Sequence, residues 1–138
     1  MIKLIIALFL SLVSTAVLAS KIIDKNDQVV CQQCGNNTVD IVVKNTNEAS
    51  NYTLTSTIET PDYAFIREDM GTSCPSGGWY AIDKTENHPK AKQFATGSCD
   101  EFEVRKTWKA RKTTYLKVQY YNPKKGNFSG KTRTFEFH

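Results

Sequence analysis

The stretch Thr113-Thr114-Tyr115-Leu116-Lys117-Val118-Gln119-Tyr120-Tyr121 decides how the rest of the chain is read. Thr114, Leu116, Val118 and Tyr120 alternate with Tyr115, Lys117, Gln119 and Tyr121, the two-residue period of a strand whose faces meet different surroundings. The first set is assigned to a core and the second to the outside. Asn122, Pro123, Lys124, Lys125 and Gly126 then make a turn. Arg133, Phe135 and Phe137 resume the alternation, so two adjacent strands are expected to pair as an antiparallel hairpin.

Just before this stretch, Phe102, Val104 and Trp108 share one parity and Glu101, Glu103, Arg105 and Thr107 the other, with Lys106 interrupting the apolar side. Trp108 is therefore expected in the core. Further back, strands are expected where Tyr52, Leu54, Ser56 and Ile58 alternate with threonines and where Val39, Ile41 and Val43 alternate. Shorter candidates lie at residues 28–34, 63–67, 79–82 and 93–96. Residues 20–28 read as a polar lead-in, and residues 68–78 and 83–90, rich in Gly, Pro, Ser and Asp, as loops.

No ten-residue stretch after residue 19 carries a helical stripe. Short strands at intervals of about 8 to 12 residues, with turn signals between them, point to an all-β antiparallel sandwich. In size and strand count this plan is similar to sandwiches of the immunoglobulin or fibronectin type III kind. Tyr115 stands near the place of a tyrosine corner, although on the outward parity.

The chain begins with Lys3 close to the start, a short apolar run and small residues up to Ala19, the pattern of a secretory signal peptide cleaved before Ser20. Residues 20–138 then form one domain, secreted to an extracellular location and not spanning a membrane, since no second long apolar run follows. Four cysteines, Cys31, Cys34, Cys74 and Cys99, in an exported chain imply disulfides. Strand alternation would point Cys31 and Cys34 to opposite faces, so each is expected to reach one of the distant pair, closing loops worth about 3 to 4 kcal/mol apiece. N-x-S/T acceptors for glycans occur at Asn36, Asn51 and Asn127.

Function is read mainly from charge. Residues 101–138 hold ten cations against three carboxylates, a local +7, while residues 20–100 hold seven against eleven, a local −4. The outward residues Tyr115, Lys117 and Tyr121, with Arg105, Arg111, Lys112, Lys124 and Lys125, are the candidate ligand-binding set, aromatics and cations suited to an anionic glycan, another polyanion or a protein surface. The same cations could serve only to keep a sheet soluble.

No catalytic signature is present: the two histidines, His88 in a polar loop and His138 at the end of the sequence, have no evident partners. Neither a calcium-loop spacing nor a zinc-type second cysteine pair occurs, so no metal or other cofactor is expected. The expectation is a secreted, non-catalytic binding module. Its alternatives are a protein-recognition module (adhesion, inhibitor or host-directed effector), a carrier of an apolar ligand between two sheets, or, least supported, a small hydrolase or nuclease.

Overall fold

The computed structural model describes residues 20–25, 28–45, 54–68, 77–94 and 100–138. In chain order the strands are β1 (Lys21–Lys25), β2 (Gln28–Gln32), β3 (Ile41–Val42), β4 (Lys44–Asn45), β5 (Leu54–Glu59) and β6 (Tyr63–Glu68). There follow β7 (Gly78–Asp83), β8 (Lys90–Gln93), β9 (Phe102–Ala110), β10 (Thr113–Tyr120) and β11 (Thr132–Phe137). No helix occurs among the described residues, and the all-β expectation holds. The strands form three sheets, ordered β1-β2-β3, β4-β8-β7-β6-β5 and β11-β10-β9. Every pairing is antiparallel except the short parallel contact between β4 and β8.

The five-stranded sheet is covered on both faces, which accounts for a local sequence pattern. Tyr63-Ala64-Phe65-Ile66 in β6 and Trp79-Tyr80-Ala81-Ile82 in β7 are buried without interruption, as happens when neither face of a strand meets water. Successive residues then serve different cores. Tyr63, Phe65, Trp79 and Ala81 pack with Phe102, Leu116, Val118 and Phe135 of the β9–β11 sheet. Ala64, Ile66, Tyr80 and Ile82 pack with Ile22, Val29, Cys31 and Cys34 beside the β1–β2 hairpin. The first core is the more aromatic: the Phe65 ring lies 4.9 Å from that of Phe137 and 5.9 Å from that of Phe94, in tilted and edge contacts.

The β10–β11 pairing and its inner face come out as expected. Leu116 and Val118 are fully buried, Phe135 is buried, and Tyr120 and Phe137 pack half-buried against them. Trp79 is in the core as well. Several boundaries differ: the strand expected over Val39, Ile41 and Val43 is confined to Ile41–Val42, and the one placed at residues 28–34 ends at Gln32. The supposed lead-in is strand β1, whose Ile22 is buried and Ile23 half-buried among exposed Lys21, Asp24 and Lys25. A strand runs over Lys90–Gln93, and of the strand expected at residues 93–96 the last two residues lie outside the described residues.

The cysteine expectation is overturned. Cys31 and Cys34 are bonded to each other, with Cα atoms 5.8 Å apart. Alternation fails as a guide here because β2 ends at Gln32 and Gln33 turns into the left-handed region at φ 55°. The reversal brings Cys34 back over Cys31. Gly35, at φ 59°, completes the turn where a Cβ would collide with Asn87. The turn docks on the β7–β8 connection: Gly35 N–H donates to the Lys84 carbonyl at 2.8 Å and Asn36 N–H to Asn87 Oδ1 at 2.8 Å. Because the bridge closes so short a loop, its entropic worth falls to about 2 kcal/mol.

Cys74 and Cys99 lie outside the described residues. Peptide mapping without reduction is expected to give a Cys31–Cys34 fragment; a fragment joining Cys31 or Cys34 to Cys74 or Cys99 would contradict this pairing.

Candidate anion-binding face

The outer surface of the β9–β11 sheet is not the surface that simple alternation draws. The β9–β10 register shifts between Lys117 and Val118: Lys117 lies opposite Lys106, but Val118 lies opposite Val104. One extra residue of β9 is thereby accommodated, and a bulge of this kind reverses the sidedness of everything beyond it. Phe102 and Val104 face the core, whereas Lys106 and Trp108 turn outward beside Lys117 and Tyr115. Trp108 is therefore not a core residue. The clue was Lys106, whose misfit on the apolar parity marks where the parity changes.

Outside, Trp108 and Tyr115 are cross-strand partners with rings 5.1 Å apart and nearly parallel at 9°. Both are half-buried. The Lys106 ammonium lies 5.4 Å from the Trp108 ring, a cation–π contact. Lys106 and Lys117 sit directly opposite each other, and neither makes an ion pair among the described residues. Such a juxtaposition of like charges opposes folding by about 0.2–1 kcal/mol.

The other cations divide into those used by the fold and those free of it. Arg105 is engaged at every turn: its Nε donates to Gln119 Oε1 at 2.9 Å, and its Nη2 donates to the Phe128 carbonyl at 3.0 Å and pairs with Glu103 at 2.8 Å. It fastens the β10–β11 connection to the sheet. Lys109 bridges to Asp62, next to the central sheet. Lys131 and Arg133 lie over the Tyr120 and Phe135 rings, at 5.7 and 4.4 Å.

Arg111 and Lys112 form the exposed β9–β10 turn, with Arg111 at φ 58°. Lys124 and Lys125 form the exposed turn beyond the other end of β10, where both backbone N–H groups donate to Asn122 Oδ1. The two turns stand about 25 Å apart, the length of eight strand residues. Tyr121 belongs to the far end, with its ring 5.4 Å from that of Phe128 and 38% of its surface exposed. The sequence-derived set is thus spread along the whole sheet. Its compact part is Tyr115 and Lys117, joined by two residues that alternation had not offered, Trp108 and Lys106.

Neither histidine joins this face. His88 is exposed in the β7–β8 connection. His138 is held rather than loose: its carbonyl accepts from the Tyr63 hydroxyl at 2.8 Å, and its Nδ1 lies 3.1 Å from Thr113 Oγ1. Burial pushes the Tyr63 hydroxyl above its ordinary pKa, and the Asp83, Glu86 and Asp62 carboxylates push it further, so it stays protonated. Among the described residues no three His, Cys, Asp or Glu side chains group as metal ligands, and no helix is long and apolar enough to cross a membrane. Asn36 and Asn127 are exposed in turns, and Asn51 lies outside the described residues.

No family model, curated protein or solved structure matches the chain.

Proposed function

We propose that the protein is a secreted, non-catalytic binding module whose β9–β11 outer face engages an extended anionic ligand, either an acidic glycan or another polyanion. The observation carrying this reading is the Lys106–Lys117 pair beside the Trp108–Tyr115 stack. A purely solubilising lysine belongs on an edge strand, where it deters pairing with other chains. Lys117 is on β10, the middle strand of its sheet. Two unneutralised ammonium groups facing each other there cost stability and find a natural counter-charge in an anionic ligand. Arg111 and Lys112 at one end and Lys124 and Lys125 at the other suit a polymer longer than any single small molecule.

The ring stack changes how such a ligand would be held. Trp108 and Tyr115 cover part of each other's faces, so less ring surface is left for stacking on sugars or bases. The indole N–H and phenol O–H remain as donors to sulfate, phosphate or carboxylate oxygens. The sandwich reading of the fold is part of the same proposal, and it applies to the central sheet lying over β9–β11. Export rests on the signal-like pattern of residues 1–19.

The test is retention on immobilised heparin compared with a plain cation exchanger of equal charge density. Lys106→Glu with Lys117→Glu is expected to weaken heparin binding at least about tenfold, or ~1.4 kcal/mol. Lys124→Glu with Lys125→Glu should lower it less, and equally on both columns. Equal losses from both double variants would reduce the face to nonspecific charge and remove the proposal.

A further inference from the structure

A second, chemically different site lies at the opposite edge of the aromatic core. Where the central sheet extends past β11, a cleft of about 330 Å³ opens. Its floor is apolar, formed by Tyr63, Ala81 and Phe94, with Phe137 on the β11 side. Lys90 and Lys92 stand on the β8 wall, and by strand alternation they share a face, about 6.6 Å apart along the chain. Asp83 and Glu86 also line the cleft, and Glu136 of β11 borders it with its side chain on the outer face of its sheet, opposite Tyr115.

These charges do something unusual for neighbours of opposite sign. No lysine in the cleft comes within 4.0 Å of a carboxylate there, and Glu86, Lys90 and Lys92 make no ion pair with any described residue. Asp83 is turned to its own loop, accepting from Thr85 N–H at 2.9 Å and from Thr85 Oγ1 at 2.6 Å, while Glu136 has only a 3.8 Å approach from His138. Glu86, Lys90 and Lys92 are all exposed to solvent. The Tyr63 hydroxyl, donating to the His138 carbonyl at 2.8 Å, ties the end of β11 to β6.

We infer that this cleft binds a small zwitterion, an α-amino acid or short peptide terminus with an aromatic or large aliphatic side chain. Its carboxylate is taken by Lys90 and Lys92, its ammonium by Glu86, and its side chain by the Phe94 and Phe137 rings. One molecule bearing both charges neutralises both walls at once, which neither an anion nor a cation does. The volume suits one or two residues. The site is independent of the anion-binding face, from which it differs in sheet edge, charge balance and size.

Calorimetric titration of the full-length secreted protein with free phenylalanine, phenylalaninamide and N-acetylphenylalanine tests this. Free phenylalanine is expected to bind saturably, and each blocked form about tenfold more weakly, the scale of one lost charge-assisted hydrogen bond. Lys90→Gln with Lys92→Gln should erase the preference over the amide. Glu86→Gln should erase the preference over the N-acetyl form. All three residues are exposed, so folding is retained in the variants. No saturable binding of phenylalanine, leucine or glycyl-phenylalanine at about 10 mM, or equal binding of the blocked forms, overturns the inference.

Discussion

Phe65→Ala is expected to destabilise the protein by about 4 kcal/mol. Phe65 is wholly buried, and its ring touches those of Tyr63, Phe94 and Phe137. It sits where the central sheet meets the β9–β11 sheet, so truncation leaves a cavity bounded by two sheets that cannot collapse independently. Urea unfolding gives the number directly. Ile66→Ala, one residue on and also wholly buried, removes packing from the other face and should cost about 3 kcal/mol. The two differ in what they loosen. Phe65→Ala should speed hydrogen exchange in β9–β11, and Ile66→Ala in β1–β2. Faster exchange in the same strands from both variants would mean that the central sheet does not separate two cores.

Lys84→Met is the second large effect, expected at about 3 kcal/mol. The Lys84 side chain is only 3% exposed, and its ammonium lies 3.1 Å from Glu59 Oε2 and 3.1 Å from the Ser20 carbonyl. The other Glu59 oxygen accepts from Ile22 N–H at 2.7 Å. Lys84 and Glu59 together hold β1 against β5 and the β7–β8 connection. Removing the cation strands a carboxylate that is 28% exposed; partial access to water keeps the loss at the lower end of what broken buried pairs cost. Adding Glu59→Gln to Lys84→Met should recover part of it, because the uncompensated charge is gone. A single-variant loss below about 1 kcal/mol would show that the Lys84–Glu59 pair does not hold β1 in place.

Much of this was legible in the sequence, for reasons that also explain the remainder. Alternation over residues 113–121 and 133–137 reports correctly on Leu116, Val118 and Phe135, because period-two patterning is the direct imprint of one wet and one dry face. The unbroken apolar runs at 63–66 and 79–82 carried the further message that both faces of the central sheet are dry. That message says a second covering layer exists but not which residues supply it. The layer includes β1, a strand with two isoleucines among charged residues, too sparse to stand out locally. The Cys31–Cys34 bond was hidden differently, in a left-handed Gln33 that nothing in side-chain patterning announces.

The candidate site was half visible. Lys117 and Tyr115 follow from β10 alone, whereas Trp108 and Lys106 depend on the register of β9 against it. Arg105, prominent as a charge in the sequence, is committed to Gln119, Phe128 and Glu103. A count of cations cannot tell an anchor from an open contact.

The bulge between Val104 and Lys106 behaves like a reading frame for sidedness. Deleting Arg105 itself would remove the bulge and keep Lys106 and Trp108 outward, because Val104 and Lys106 already lie opposite Val118 and Lys117. Deleting Thr107 would leave composition, charge and strand propensity almost unchanged, yet would send Trp108 toward the core and bring Lys109 out beside Tyr115. The Lys109–Asp62 bridge would be lost in the same step, and the binding face would lose its indole. In chains built on this plan, insertions and deletions in β9 should therefore be more damaging to recognition than most substitutions on its surface.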